Sequence, residues 1–205
     1  MRLIAVFLMA LMGLTACGGE VIVASDAQVA RYDTPGTPPP SVKLITVIRE
    51  STGSGGHSAL VVNAPSQRVV FDPAGTFESE VTPERNDVHF GITPNMEKAY
   101  VDYHVRPAWY ADIQTIEVSA AVAEQLLRDV KAYGAVSKAY CARSVSSILG
   151  NTPGFEDIDE TWSPIKLSRQ FGDRPGVRTR TVRDGDPDYT GFIVPLDPKT
   201  GLPAT

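Results

Sequence analysis

The chain has 205 residues, with 19 Lys and Arg against 24 Asp and Glu, for a formal charge of −5. That length fits one domain with tails, and a mildly acidic chain without a Lys/Arg run argues against a nucleic-acid partner. Two cysteines and three scattered histidines show no metal-ligand spacing, so no metal or cofactor is expected.

The N-terminus opens with Met1-Arg2, then Leu3 to Leu14 almost entirely apolar, then small residues. A charged start, an apolar core and a cleavage site make a signal peptide. About a dozen apolar residues are too few for a permanent membrane helix. Leu14-Thr15-Ala16-Cys17 resembles the bacterial lipobox. That resemblance implies removal of residues 1–16, a diacylglycerol thioether on Cys17 and an acylated (palmitate-type) amine. It also implies a lipoprotein of the bacterial cell envelope, tethered to the membrane through Cys17. Gly18, in place of Asp, favours the outer membrane facing the periplasm over the inner membrane.

Residues 17–42 hold Gly18-Gly19, Pro35, Gly36 and Pro38-Pro39-Pro40, and lack apolar periodicity from Ser25 onward. They read as a flexible linker between anchor and domain. Lys43 to Arg49 is short and β-branched, a strand. Ser51 to Gly56 is a glycine loop that precedes a strand and carries no P-loop lysine, so it cradles no phosphate. His57–Val62 and Arg68–Asp72 predict two further strands, joined by a turn at Asn63–Gln67. Pairing 57 with 72 and 61 with 68 gives one consistent hairpin register. Val81 to Met96 carries no clear period. Tyr100–Val105 and Thr115–Val118 are further strand candidates.

Two helices follow. Ser119 to Tyr133 stripes Val122, Ala123, Leu126, Leu127, Val130 and Tyr133, with Ser119 as N-cap and Gly134 as terminator. Tyr140 to Leu149 places Cys141, Val145, Ile148 and Leu149 on one face, with Ser137 a candidate cap. Ser163-Pro164 opens a short helix to Phe171. Residues 173–205, rich in Asp, Arg, Gly and Pro, read as a tail, partly docked or disordered. Strands followed by helices predict an α+β domain over residues 43–172, a small antiparallel sheet packed against helices.

With Cys17 lipidated, Cys141 is the remaining thiol, and a lone thiol outside the cytosol has no disulfide partner within its own chain. It is either buried packing or chemistry. A thiol in the first turn of a helix is acidified by the helix dipole and free N–H groups. The same N–H groups can hold an oxyanion. His57, at a strand start after the glycine loop, is the candidate base. Asp72, on the same face in the expected hairpin, would orient it. His89 and His104 read as structural residues and as reserve bases. Trp109, Tyr110 and Trp162 read as core or cleft-wall aromatics.

The order is strand histidine, acidic residue on the next strand, then helix cysteine. Gly56-His57-Ser58-Ala59-Leu60-Val61-Val62, Val69-Val70-Phe71-Asp72-Pro73-Ala74-Gly75 and Tyr140-Cys141-Ala142-Arg143-Ser144-Val145 together resemble the circularly permuted papain-like proteins. These form the permuted branch of the NlpC/P60 superfamily, related to the lecithin:retinol acyltransferase-like group. The resemblance covers about Leu44 to Phe171. It implies a permuted papain-like fold with Cys141 as nucleophile, His57 as general base and Asp72 as orienting residue. The chain departs from many relatives in carrying Tyr140, not Asn, before the cysteine. The expected activity is a monomeric cysteine hydrolase (amidase or peptidase) acting on cell-wall peptides. The alternatives are a lipid acyltransferase or thioesterase, or a non-catalytic envelope binding module.

Overall fold

The computed structural model describes residues 23–187 and 189. The segment expected to be a signal peptide and Cys17 lie outside the described residues. Among the described residues the fold is α+β, with seven strands in one antiparallel sheet. The strands are β1 (Ser41–Arg49), β2 (Gly55–Asn63), β3 (Arg68–Phe71), β4 (Glu84–Arg85), β5 (Val88–His89), β6 (Trp109–Glu117) and β7 (Arg178–Arg183). Their order across the sheet is β4-β5-β3-β2-β1-β6-β7. The helices are α1 (Asp26–Arg31), α2 (Pro94–His104), α3 (Ala120–Tyr133), α4 (Cys141–Gly150) and α5 (Pro164–Gly172).

The sheet divides the core in two. Successive residues of a strand point to opposite faces. Leu60 and Val62 therefore join Val42, Leu44, Val69 and Phe71 against α3, α4 and α5. Ala59 and Val61 join Ile45, Val70 and Ala111 against α2 and residues 77–92. The α3 stripe seals its side: Ala123, Leu126, Leu127 and Val130 are buried at helical spacing, with Ser119 Oγ accepting from Val122 N as the N-cap.

The structure corrects several expectations. Tyr100–Val105 is not a strand but the end of α2. Thr93 caps that helix, Pro94 occupies its first turn, and Met96, Glu97, Tyr100 and Val101 are buried at helical spacing. The β2–β3 register pairs Leu60 with Phe71 and Val61 with Val70, two residues away from the expected pairing. A two-residue shift preserves the face, so His57 and Asp72 remain on one side of the sheet. Ser137 does not cap α4; the N-cap residue is Tyr140, whose side chain makes no capping bond.

Both expected tails are built into the fold where they are described. In the linker, Ser25 and Gln28 form a capping box on α1. Asn63 Nδ2 donates to the Thr37 and Pro39 carbonyls at 2.7 and 3.0 Å. Arg68 N donates to Thr34 O at 2.7 Å. After α5, β7 extends the sheet by pairing Val182 with Ala111 and Arg180 with Ile113 on β6.

Candidate active site

β3 is short, and that shortness creates the site. It pairs with β2 only from Leu60 onward, so among the described residues the first half of β2 has no strand on that side. The N-terminus of α4 fills the space, with the Ser58 backbone N–H hydrogen-bonded to the Cys141 sulfur. His57 projects from β2 toward the α2 side, and Asp72 follows the last residue of β3. The site therefore joins two layers: the cysteine comes from the helices on one face, and the histidine and aspartate from the other.

Cys141 is 7 % exposed. Its side chain hydrogen-bonds to His57. His57 Nε2 lies 2.6 Å from Asp72 Oδ1, which leaves Nδ1 for the thiol. Tyr100, fully buried on α2, donates its hydroxyl to the same Asp72 oxygen. His89 Nε2 stands 3.8 Å from Asp72 Oδ2, a charge contact beyond hydrogen-bond length. The Asp72 turn is tightly built. Gly75 N donates to Asp72 O at 2.9 Å, and a Cβ on Gly75 would fall 1.8 Å from Asp72 Oδ2. Asp87 Oδ2 accepts from Ala74 N and Val136 N, both at 3.0 Å, tying this turn to the loop that leads into α4.

Electrostatics follow the hydrogen bonds. Burial works against a charge on His57, but the Asp72 charge and hydrogen bond, reinforced by Cys141, prevail and raise its pKa to about 10. Burial raises the thiol of Cys141, while the His57 hydrogen bond and charge, with the Ser58 and Ala142 N–H groups, bring it below the ordinary cysteine value. Asp72 is desolvated, yet the His57 charge and hydrogen bond hold it well below the usual carboxylate range. These influences favour a charge on His57 and ease ionisation of Cys141, with the Asp72 carboxylate behind the imidazole.

All three residues singled out from the sequence meet here. Tyr100 gives no sign of this role in the sequence, where Tyr100–Val105 reads as a strand. His104 was expected to be structural or a reserve base. It stacks on His57 with ring centroids 5.5 Å apart and planes 4° from parallel. Its Nδ1 lies 2.8 Å from Tyr100 O, and burial lowers its pKa to about 4. Folding also gathers one ligand atom each from His57, Asp72 and His104 within 4.8 Å of one another. This is a donor cluster that spacing along the chain could not reveal, since the three residues come from β2, the end of β3 and α2.

Aromatic residues lie beside the residues of the site. The Trp109 ring lies on Gly56, where an added Cβ would come within 2.5 Å of it. Pro164 packs on Gly55 in the same way. Trp162, 54 % exposed, meets Tyr140 edge-on at 4.6 Å, with the Arg143 guanidinium 5.0 Å from its ring. No family model, curated protein or solved structure matches this chain.

Proposed function

We propose that this protein is a cysteine hydrolase of amide or ester bonds. The hydrogen-bonded series Cys141–His57–Asp72, with the histidine held charged and the thiol acidified, carries this reading. A thiolate with its imidazolium beside it is an activated nucleophile. In the proposed reaction Cys141 Sγ attacks the carbonyl carbon and the oxygen becomes anionic. The N-terminal N–H groups of α4 stabilise that charge. His57 gives its Nδ1 proton to the leaving amine or alcohol, leaving an acyl-enzyme. Water, deprotonated by His57, attacks the acyl carbon, the acid leaves, and the thiolate–imidazolium pair is restored. Asp72 and Tyr100 keep the imidazole in one orientation, and Asp72 offsets its charge.

The order and spacing of these residues support a permuted papain-like architecture for the domain. The lipobox-like Leu14-Thr15-Ala16-Cys17 supports a lipoprotein of the cell envelope, for which a cell-wall peptide is the proposed substrate.

The test is the pH dependence of Cys141 alkylation by iodoacetamide in the full chain carrying Cys17→Ser, so that one thiol remains. The expected profile has an apparent pKa well below the free-cysteine value of about 8.5, and His57→Ala abolishes the depression. A slow reaction with an ordinary or raised pKa, indifferent to His57, would replace the enzyme with a binding module built around a packed thiol. If the depression is found, a muropeptide panel set against acyl esters separates peptide hydrolysis from acyl transfer.

A further inference from the structure

Two arginines flank His57, and neither has a carboxylate to pair with. Arg49 ends β1, directly across from Trp109 on β6, and its guanidinium lies 4.7 Å from the centre of the Trp109 ring. That ring rests on Gly56, the residue before His57. The Arg49 backbone closes the glycine loop leading to His57: its N–H donates to Ser54 O at 2.9 Å, and its carbonyl accepts from Gly53 N at 2.8 Å. Arg106 stands in the turn between α2 and β6, where its backbone exchanges hydrogen bonds of 2.7 and 3.3 Å with Trp109. Its guanidinium lies 5.2 Å from the centre of the Tyr103 ring, and its Nε donates to Tyr103 O at 2.8 Å. Tyr103 in turn meets His104 edge-on at 5.0 Å, and His104 stacks on His57.

Both arginines are exposed. The salt bridges among the described residues include neither of them, and the adjacent carboxylate, Glu50, is engaged by Arg183 at 3.1 Å. Stacking on an aromatic ring holds a guanidinium in one place while its edge N–H groups stay available. A planar cation prepared in this way matches a carboxylate, which it can hold by two parallel hydrogen bonds. The whole chain carries a formal charge of −5, so general attraction of anions is not what these residues express; the positive charge is local to the His57 side of the site. We propose that Arg49 and Arg106 are specificity-determining residues that bind a carboxylate of the substrate, so that Cys141 acts on acidic peptides. The substrate assignment rests on the cysteine-hydrolase reading; the anion site stands on the two arginines alone.

The experiment compares two alkylating reagents that differ in charge, iodoacetate and iodoacetamide, on the full chain carrying Cys17→Ser. Both reagents meet the same thiolate, so the ratio of their rates at pH 7 cancels the thiol pKa and any change in folding common to both. The ratio for N-acetylcysteine gives the intrinsic preference. In the parent the ratio should favour iodoacetate at least about 10-fold more than in N-acetylcysteine, the scale of one charge-assisted hydrogen bond. In the parent carrying both Arg49→Gln and Arg106→Gln it should fall to the N-acetylcysteine value. A parent ratio at or below that of N-acetylcysteine overturns the proposal, as does a raised ratio that the double substitution leaves in place. Protection against iodoacetamide then identifies the anion. N-acetylalanine should protect the parent and not the doubly substituted protein, whereas protection by glycerol 3-phosphate alone would replace the peptide carboxylate with a lipid phosphate. The pH profile of alkylation tests the hydrolase reading separately. A depressed thiol pKa with an ordinary ratio sinks only this inference, and a raised ratio with an ordinary pKa sinks the hydrolase while leaving the anion site.

Discussion

His57 keeps its charge inside the protein because Asp72 and Cys141 both favour the cation, and together they outweigh burial. The pair leaves a specific mark on stability. The His57 contribution is fully present below the unfolded value of about 6.5 and is lost as pH rises through about 10. The Cys141 contribution has the opposite sign: it is present above about 8.5 and is lost as pH falls through the lowered thiol pKa. Where the two windows overlap, below about 8.5, the slopes oppose each other and cancel, because the proton that His57 holds is the one the thiol gave up. Urea unfolding should therefore show a plateau across that window. In Cys141→Ala the plateau should become a continuous decline with rising pH; a plateau that survives the substitution would show that the thiol is not ionised. A second outcome concerns Gly75, against which the Asp72 carboxylate is packed. Gly75→Ala should slow Cys141 alkylation at pH 7 by about 10- to 100-fold, the scale of a misplacement of about 1 Å, with the circular dichroism spectrum unchanged.

Among the elements, the four-residue β3 and the entry into α4 matter most. Had β3 continued past Phe71, its ladder would have occupied the Ser58 N–H that now faces Cys141. The approach to α4 turns through Ala139 at φ +73°, a left-handed conformation costly for a residue with a Cβ. It is held by the loop that Asp87 ties down through Val136 N. Beneath α4, Thr46 and Ser58 face each other across β1 and β2, and their hydroxyls, like that of Ser144 on α4, are buried without a hydrogen-bond partner among the described residues. A buried unsatisfied hydroxyl costs about 1–3 kcal/mol. Thr46→Val, which keeps the shape, should raise stability in urea unfolding by about 1 kcal/mol; a loss would mean that the hydroxyl is hydrogen-bonded in solution. The helical elements were legible because their signals are local: Ser119, Ser163-Pro164 and the apolar stripes of α3 and α4. The same kind of signal, Thr93-Pro94 followed by Met96, Tyr100 and Val101, marks α2. Its final stretch from Tyr100 to Val105, rich in aromatic and β-branched residues, imitates a strand when read alone.

Across the whole molecule, both flanks of the expected domain pack onto it, and the C-terminal one adds a strand to the sheet. Val182 on β7 is fully buried against the α2-side core. The β7 pairing covers the β6 edge that would otherwise expose a row of unpaired backbone groups. Truncation after Val177 should lower the midpoint of thermal unfolding and promote aggregation, both followed in one light-scattering melt; an unchanged melt would make β7 dispensable. Arg178-Thr179-Arg180-Thr181-Val182-Arg183 is hard to recognise as a strand because an edge strand buries so little, here one valine. The sequence alone determined the α+β class, the starts of α3, α4 and α5 to within a residue, and the three residues Cys141, His57 and Asp72 that meet at the candidate site, because caps, periodicity and residue chemistry are local properties. It also placed His57 and Asp72 on one face despite a register two residues out, since side-chain direction depends only on parity. Only the tertiary structure decided that Tyr100 and His104 join them, that α4 enters beside β2, and that the flanking segments belong to the fold. Those outcomes depend on which surfaces bury one another across long stretches of chain, and no window of sequence contains that information.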